Sequence, residues 1–223
     1  IMVGRVTLVE GDVQRYVSEE NDWVLIIKDV PFGFDDALYA GEGARAEILM
    51  PNNTWVRIGS NSQVQMVALK TDVTEVDLSW GVGRFYNTST SGLVKVTTPY
   101  GYVVADPNSS FDLYVGDESA EVVALEGYVD FVKGEGDNET RYEVVPGSGS
   151  LLVDESQVGS GDGEVDAQWD DWNEERDAFW EKKLEVKGDS VDYLPPTLQD
   201  SASDLDEDGT WEECNADGVS KPC

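Results

Sequence analysis

From Val3 to Val153 the chain is a succession of short alternating segments such as "GRVTLVEGDVQRY", "WVLIIKDV", "ARAEILM", "EVDLSWGVGRFY" and "AEVVALEGYVDFV". They are rich in Val, Ile, Leu, Tyr and Phe and are interrupted every 8 to 12 residues by Gly, Asn, Asp or Pro. A period of two puts alternate side chains on one face of a strand, and turn residues at that spacing predict an all-β body of many short antiparallel strands, sandwich or solenoid-like. No helix-length pattern of period 3.6 occurs among them, so a layout of alternating strands and helices is not expected. The one Gly-rich stretch, "GVGRF" at 81–85, lies inside a strand pattern and reads as a bulge or bend.

The period then changes. The predicted organisation is an all-β domain over 1–157, an acidic Gly-rich link at 158–164 ("VGSGDGE"), an amphipathic Trp-rich helix over 165–187 and an extended acidic tail over 188–223. In the helix Val165, Trp169, Trp172, Arg176, Phe179 or Trp180, and Leu184 fall along one side, with acids in the first half and Lys182, Lys183 and Lys187 at the end, as the helix dipole favours. Such a stripe either docks on its own domain or is kept for a partner. In the tail Leu205 and Trp211 are candidate docking anchors. Cys214 and Cys223, separated by a turn-forming sequence, read as a disulfide that would stabilise the tail by at most about 2.7 kcal/mol and requires an oxidising compartment; two free thiols are the alternative.

The formal net charge of -31 disfavours nucleic acid and anionic membranes as partners. Cations, basic partners or a saline habitat are the readings left. The acidity is concentrated in residues 154–223, which hold 22 acids and 5 bases. No run approaches the roughly 20 apolar residues of a membrane-spanning helix. A chain beginning at Ile1 fits a mature protein whose export signal has been removed, and equally a trimmed one.

Histidine is absent, which removes Ser-His and Cys-His nucleophilic systems, His general bases and His-ligated metals together. No nucleophile elbow, P-loop or dinucleotide fingerprint is found, and no enzyme or cofactor is expected. One metal candidate remains. Asp204, Asp206, Asp208 and Gly209 resemble the opening of a calcium loop, with Thr210 and Glu212 as further oxygen ligands, although the bidentate Glu due at position 12 is replaced by Asn215 and the aliphatic residue due at position 8 by Trp211. The four Asn-x-Ser/Thr sequons, at Asn52, Asn87, Asn108 and Asn138, fall in predicted turns.

Segments of the body resemble the FecR-like extracytoplasmic domain of bacteria. "GRVTLVEGDV" is similar to its opening strand pair, "NDWVLIIKDVPFGFDDALYAGEGARAEILM" to its Trp and Gly-x-x-Ala segment, and "TWVRIGSNSQVQM" to the next hairpin. "KVTTPYGYVVADPNSSFDLYV" and "VVALEGYVDFV" are similar to its Thr-Pro and Glu-Gly-x-Val elements. "WNEERD", "SVDYLPPTL" and "DLDEDGTW" resemble a C-terminal region that follows such domains in exported proteins, in which Leu205 and Trp211 would dock the tail and the three aspartates would form the solvated side of a turn. The resemblance implies an exported, non-enzymatic module. FecR itself relays signals through a membrane-spanning segment and a cytoplasmic domain; neither is read here, so only the extracytoplasmic part of such a protein is expected.

These readings favour an extracytoplasmic structural or interaction protein, secreted, on the cell surface or periplasmic, whose partner is itself in a filament-like assembly. The edge strands of the β body, the Trp-rich helix and the tail motivate that choice. The alternative is a periplasmic sensor or adaptor that binds another envelope protein.

Overall fold

The structure, a computed structural model, describes residues 2–18, 20–134, 136–185, 189–194, 198, 201–216 and 219–222. It divides into two units, Ile1–Val165 and Asp166–Cys223.

The first unit is all β, as the alternation predicts. Its 17 strands form one continuous hydrogen-bonded sheet folded into two layers. The first layer runs, in spatial order, β4 (Pro31–Phe32), β1 (Gly4–Glu10), β6 (Arg45–Leu49), β7 (Thr54–Ile58), the second half of β9 (Val73–Asn87), β12 (Ser109–Val115), β13 (Ser119–Glu126), β16 (Ser150–Asp154) and β17 (Val158–Gly161). The second runs β3 (Asp22–Leu25), β2 (Val13–Val17), β5 (Ala37–Ala40), β8 (Ser62–Leu69), the first half of β9, β10 (Leu93–Thr98), β11 (Gly101–Ala105), β14 (Val129–Lys133) and β15 (Thr140–Val144). The core lies between the layers. Leu38, Val64, Met66, Val76, Leu78 and Phe131 meet it from the second layer, and Val6, Ile48, Val56, Phe85, Phe111 and Leu113 from the first. Phe85 and Phe111, opposite each other in register, stack with centroids 5.1 Å apart.

β9 belongs to both layers. Up to Trp80 it pairs with β8 and β10, and from Gly81 it pairs with β7 and β12. Gly81 has φ +94°, and a Cβ there would lie 2.3 Å from Ser62 Oγ and 2.5 Å from Ser62 Cα, so only glycine makes this crossing without displacing β8. The expected bend at "GVGRF" is thus the point at which the sheet changes layer. The chain then returns through residues 88–92 and lays β10 parallel to the first half of β9, an exception to the expected antiparallel pairing. A parallel pair needs a crossover, and here the second half of β9 supplies it. Asn87, 1% exposed, holds this corner: its Nδ2 donates to Gly92 O (2.8 Å) and Ala105 O (3.0 Å), and its Oδ1 accepts from Ser89 Oγ (2.6 Å). It is the last residue of a strand, not the turn residue expected of a sequon.

Two other expectations are corrected. The segment 158–164 is no mere link, because Val158–Gly161 pairs with β16 as the edge strand β17. Backbone pairing needs no side chain, so a Gly-rich composition conceals it. The tail is not simply extended either. The second unit holds α1 (Ala167–Glu185), a 3-10 turn at Asp189–Tyr193, α2 (Ala202–Asp208) and an antiparallel hairpin of β18 (Glu213–Ala216) and β19 (Val219–Pro222). No helix among the described residues is long and apolar enough to cross a membrane.

Candidate binding groove and edge strand

One groove of the first unit, of about 600 Å³, lies where the β2–β3 hairpin meets the turn at 33–36 and the start of β8. Three separate stretches of sequence build it. β2 and β3 pair Tyr16 with Trp23, whose rings meet edge to face at 5.5 Å, and Trp23 reaches over β2 to Tyr39 of β5 at 6.1 Å. The turn is shaped by Asp36, which accepts from the Gly33 N–H at 2.7 Å, and by Asp35 in the left-handed region at φ 68°. It leaves Phe34 76% exposed beside the groove. From β8, Gln65 Nε2 donates to Asp35 Oδ1 at 2.9 Å.

Arg15 forms part of the floor. Its Nη2 donates to Asp36 Oδ1, an ion pair across two elements. Its Nε is buried without a hydrogen-bond partner among the described residues. A buried donor left unpaired is costly to the fold.

β3 is the edge strand of the second layer, hydrogen-bonded only to β2 in the described sheet. Val24, Leu25 and Ile27 are exposed along and just beyond it, Leu25 to 61% and Ile27 to 76%. An open strand edge is a ready template for another chain, and apolar side chains on it are rarely left uncovered. The far edges differ: β15 carries Arg141, paired with Asp130 at 3.1 Å, and β17 is glycine-rich.

A second concavity, of about 420 Å³, lies among Tyr100, Asp117, Glu118, Asp154, Glu155 and Ser156. Asp154 accepts from the Ser156 hydroxyl (2.8 Å) and from the Ser156 and Gln157 amides (2.7 and 2.8 Å), and these bonds hold its carboxyl down at about 2. Burial, and after it the charges of Glu155, Asp117 and Glu118, pushes the Tyr100 phenol up.

The residues singled out in the sequence lie elsewhere. Trp169, Trp172 and Trp180 of α1 are buried, with Trp169 and Trp172 stacked at 5.4 Å; Phe179 is exposed under the Arg176 guanidinium, 4.3 Å from its ring centroid. Trp211 packs within its own unit, 4.9 Å from Tyr193, and its Nε1 donates to Ser190 Oγ at 2.6 Å, while Leu205 is exposed. Asp206 and Asp208 are in α2, where alternate residues point in different directions. Asp206 Oδ1 accepts from Ser190 Oγ at 2.5 Å and from its N–H at 3.1 Å. Thr210 and Glu212 follow the helix. Among the described residues no group of three or more acidic or Cys side chains is gathered to hold a metal. The side chain of Asp204 lies outside the described residues, as does Cys223 and with it the expected pairing to Cys214.

The groove is hidden in the sequence because its parts are far apart in the chain. Trp23 stands out only within a family segment, and a cluster such as "FDD" at 34–36 signals a turn, not a site.

Comparison with known proteins places the body. The sequence pattern of the family described as FecR protein matches residues 36–130, from the turn before β5 into β14. No curated protein matches the chain. Two crystal structures of a "putative anti-sigma factor" from Parabacteroides distasonis ATCC 8503, at 2.50 and 1.65 Å resolution, are similar at 18% identity and a TM-score of 0.47; each match covers 57% of this chain and 60% of that one. Residues 36–130 of the β body thus match the FecR family domain.

Proposed function

We propose that the chain is a non-enzymatic sensor or adaptor module of the bacterial envelope, which binds another envelope protein through the open edge of β3. The observation that carries this reading is the exposed apolar edge of Val24, Leu25 and Ile27, in the same β body as the FecR family match over residues 36–130. Extended segments add to such edges through main-chain hydrogen bonds, and the side chains along the edge supply the selectivity. The family match supports this adaptor over the self-associating filament subunit that the edge strands and the Trp-rich helix suggested. FecR-like domains belong in general to the envelope, and the localisation proposed is periplasmic.

The test is affinity capture from an envelope extract, with wild type and Leu25→Arg as paired baits. A distinct envelope protein retained by wild type and lost with the variant supports the proposal. Recovery of only the chain itself, or equal recovery by both baits, contradicts it.

A further inference from the structure

We infer that the groove beside Trp23 is a binding site for a neutral saccharide. Three observations converge on that ligand class. The first is the pairing of aromatic surface with planar polar groups. Tyr16, Trp23 and Phe34 offer ring surface, and Arg15, Asp35 and Gln65 offer a guanidinium, a carboxylate and an amide within the same 600 Å³. A pyranose presents an apolar face of C–H groups and a rim of hydroxyls that both donate and accept, and it needs this combination of partners.

The second is a fixed guanidinium. Arg15 is held by its Nη2 contact to Asp36 Oδ1, and its side chain stays 34% exposed where it lines the groove. A guanidinium held in this way donates to a hydroxyl or ring oxygen, and the same hydroxyl could donate to a neighbouring carboxylate.

The third is charge. The chain carries -31, yet among the described residues the groove is lined by one base and two acids, with Arg15 paired to Asp36 and Asp35 held by Gln65. An anionic ligand would be repelled by the molecule as a whole. A cationic ligand would meet Arg15, whose partner Asp36 is already engaged. A neutral polyhydroxylated ligand meets neither obstacle. The volume is in the range of about 300–1,000 Å³ found for small-ligand clefts. Phe34, 76% exposed on the turn, adds accessible aromatic surface to the lining.

The test uses the intact chain titrated calorimetrically with maltohexaose, cellohexaose, chitohexaose and xylohexaose, each to about 10 mM, which detects dissociation constants into the millimolar range. The expected result is saturable 1:1 binding of at least one of them, weakened about tenfold or more by Trp23→Ala and by Gln65→Ala. Gln65→Ala removes a surface amide and should leave the thermal midpoint in place, so its loss of binding cannot be laid to unfolding. Absence of binding to all of the oligosaccharides, binding that survives both variants, or saturable binding of a Lys/Arg-rich decapeptide in their place would overturn the inference.

Discussion

Arg84 of β9 and Asp112 of β12 stand opposite each other in register and are joined by two parallel hydrogen bonds, Nε to Oδ1 and Nη2 to Oδ2, both of 2.7 Å. Both are buried. On the next strand Arg57, directly opposite Arg84, turns the other way to Glu47 Oε2 at 2.9 Å, and Glu47 Oε1 accepts from Thr7 Oγ1 at 2.8 Å. Charges of the sequence -, +, +, - thus cross four adjacent strands at positions alternating with the core, and each arginine is neutralised by its own acid. Removing one partner leaves a buried charge without compensation. Arg84→Ala is expected to destabilise by about 3–5 kcal/mol, whereas the double replacement Arg84→Met with Asp112→Leu should recover most of that loss. Denaturant midpoints of the three chains check both numbers.

The crossing of β9 between layers rests on one residue. Gly81→Ala forces a side chain into φ +94° and against Ser62, and is expected to cost about 1–3 kcal/mol. Gly43, also at positive φ but with nothing near its Cβ position, isolates the backbone component. Gly43→Ala should therefore cost less, and a thermal melt of each variant makes the comparison.

These two features mark the boundary of what the sequence discloses. The period-two pattern in "SQVQMVAL" places Val64 and Met66 in the core because burial acts residue by residue along one strand. The bend at "GVGRF" is equally legible, because glycine inside a strand has few other uses. That the bend joins two layers, and that β10 returns parallel to β9, depends on pairings between distant segments. β17 is hidden because pairing uses only backbone groups, and α2 is hidden because alternate aspartates look like a loop. The groove gathers residues 15–18 with 23, 34–37, and 63 with 65, none of which forms a motif alone. The family resemblance identified the domain without indicating which of its surfaces is open.

Asp154 links stability to acid. Hydrogen bonds from Ser156 and Gln157 lower its carboxyl to about 2 from an ordinary value of 3.8. A depressed folded value means that its contribution is complete above the unfolded value and disappears as pH falls through the interval from 3.8 to about 2. A carboxyl titration followed by NMR should show a midpoint near 2, rising toward the ordinary value in Ser156→Ala.

The tail is fastened at Ser190. This buried serine donates to Asp206 and accepts from the Trp211 indole, joining the 3-10 turn, α2 and the segment before β18. Ser190→Ala removes both bonds at once; Asp206 Oδ1 keeps the Ser190 N–H, but the Trp211 indole N–H loses its acceptor, which costs about 1–3 kcal/mol. Amide exchange in residues 201–211 should accelerate in this variant while exchange in β8 and β9 stays unchanged.

The central claim is that β3 is the edge that meets a partner. A photo-crosslinking amino acid placed at position 25, with position 128 as an equally exposed control away from that edge, tests it in envelope preparations from the native host. The account predicts a covalent adduct between position 25 and a different envelope protein, and none at position 128. Adducts only to a second copy of this chain, or equal adducts at both positions, would contradict it.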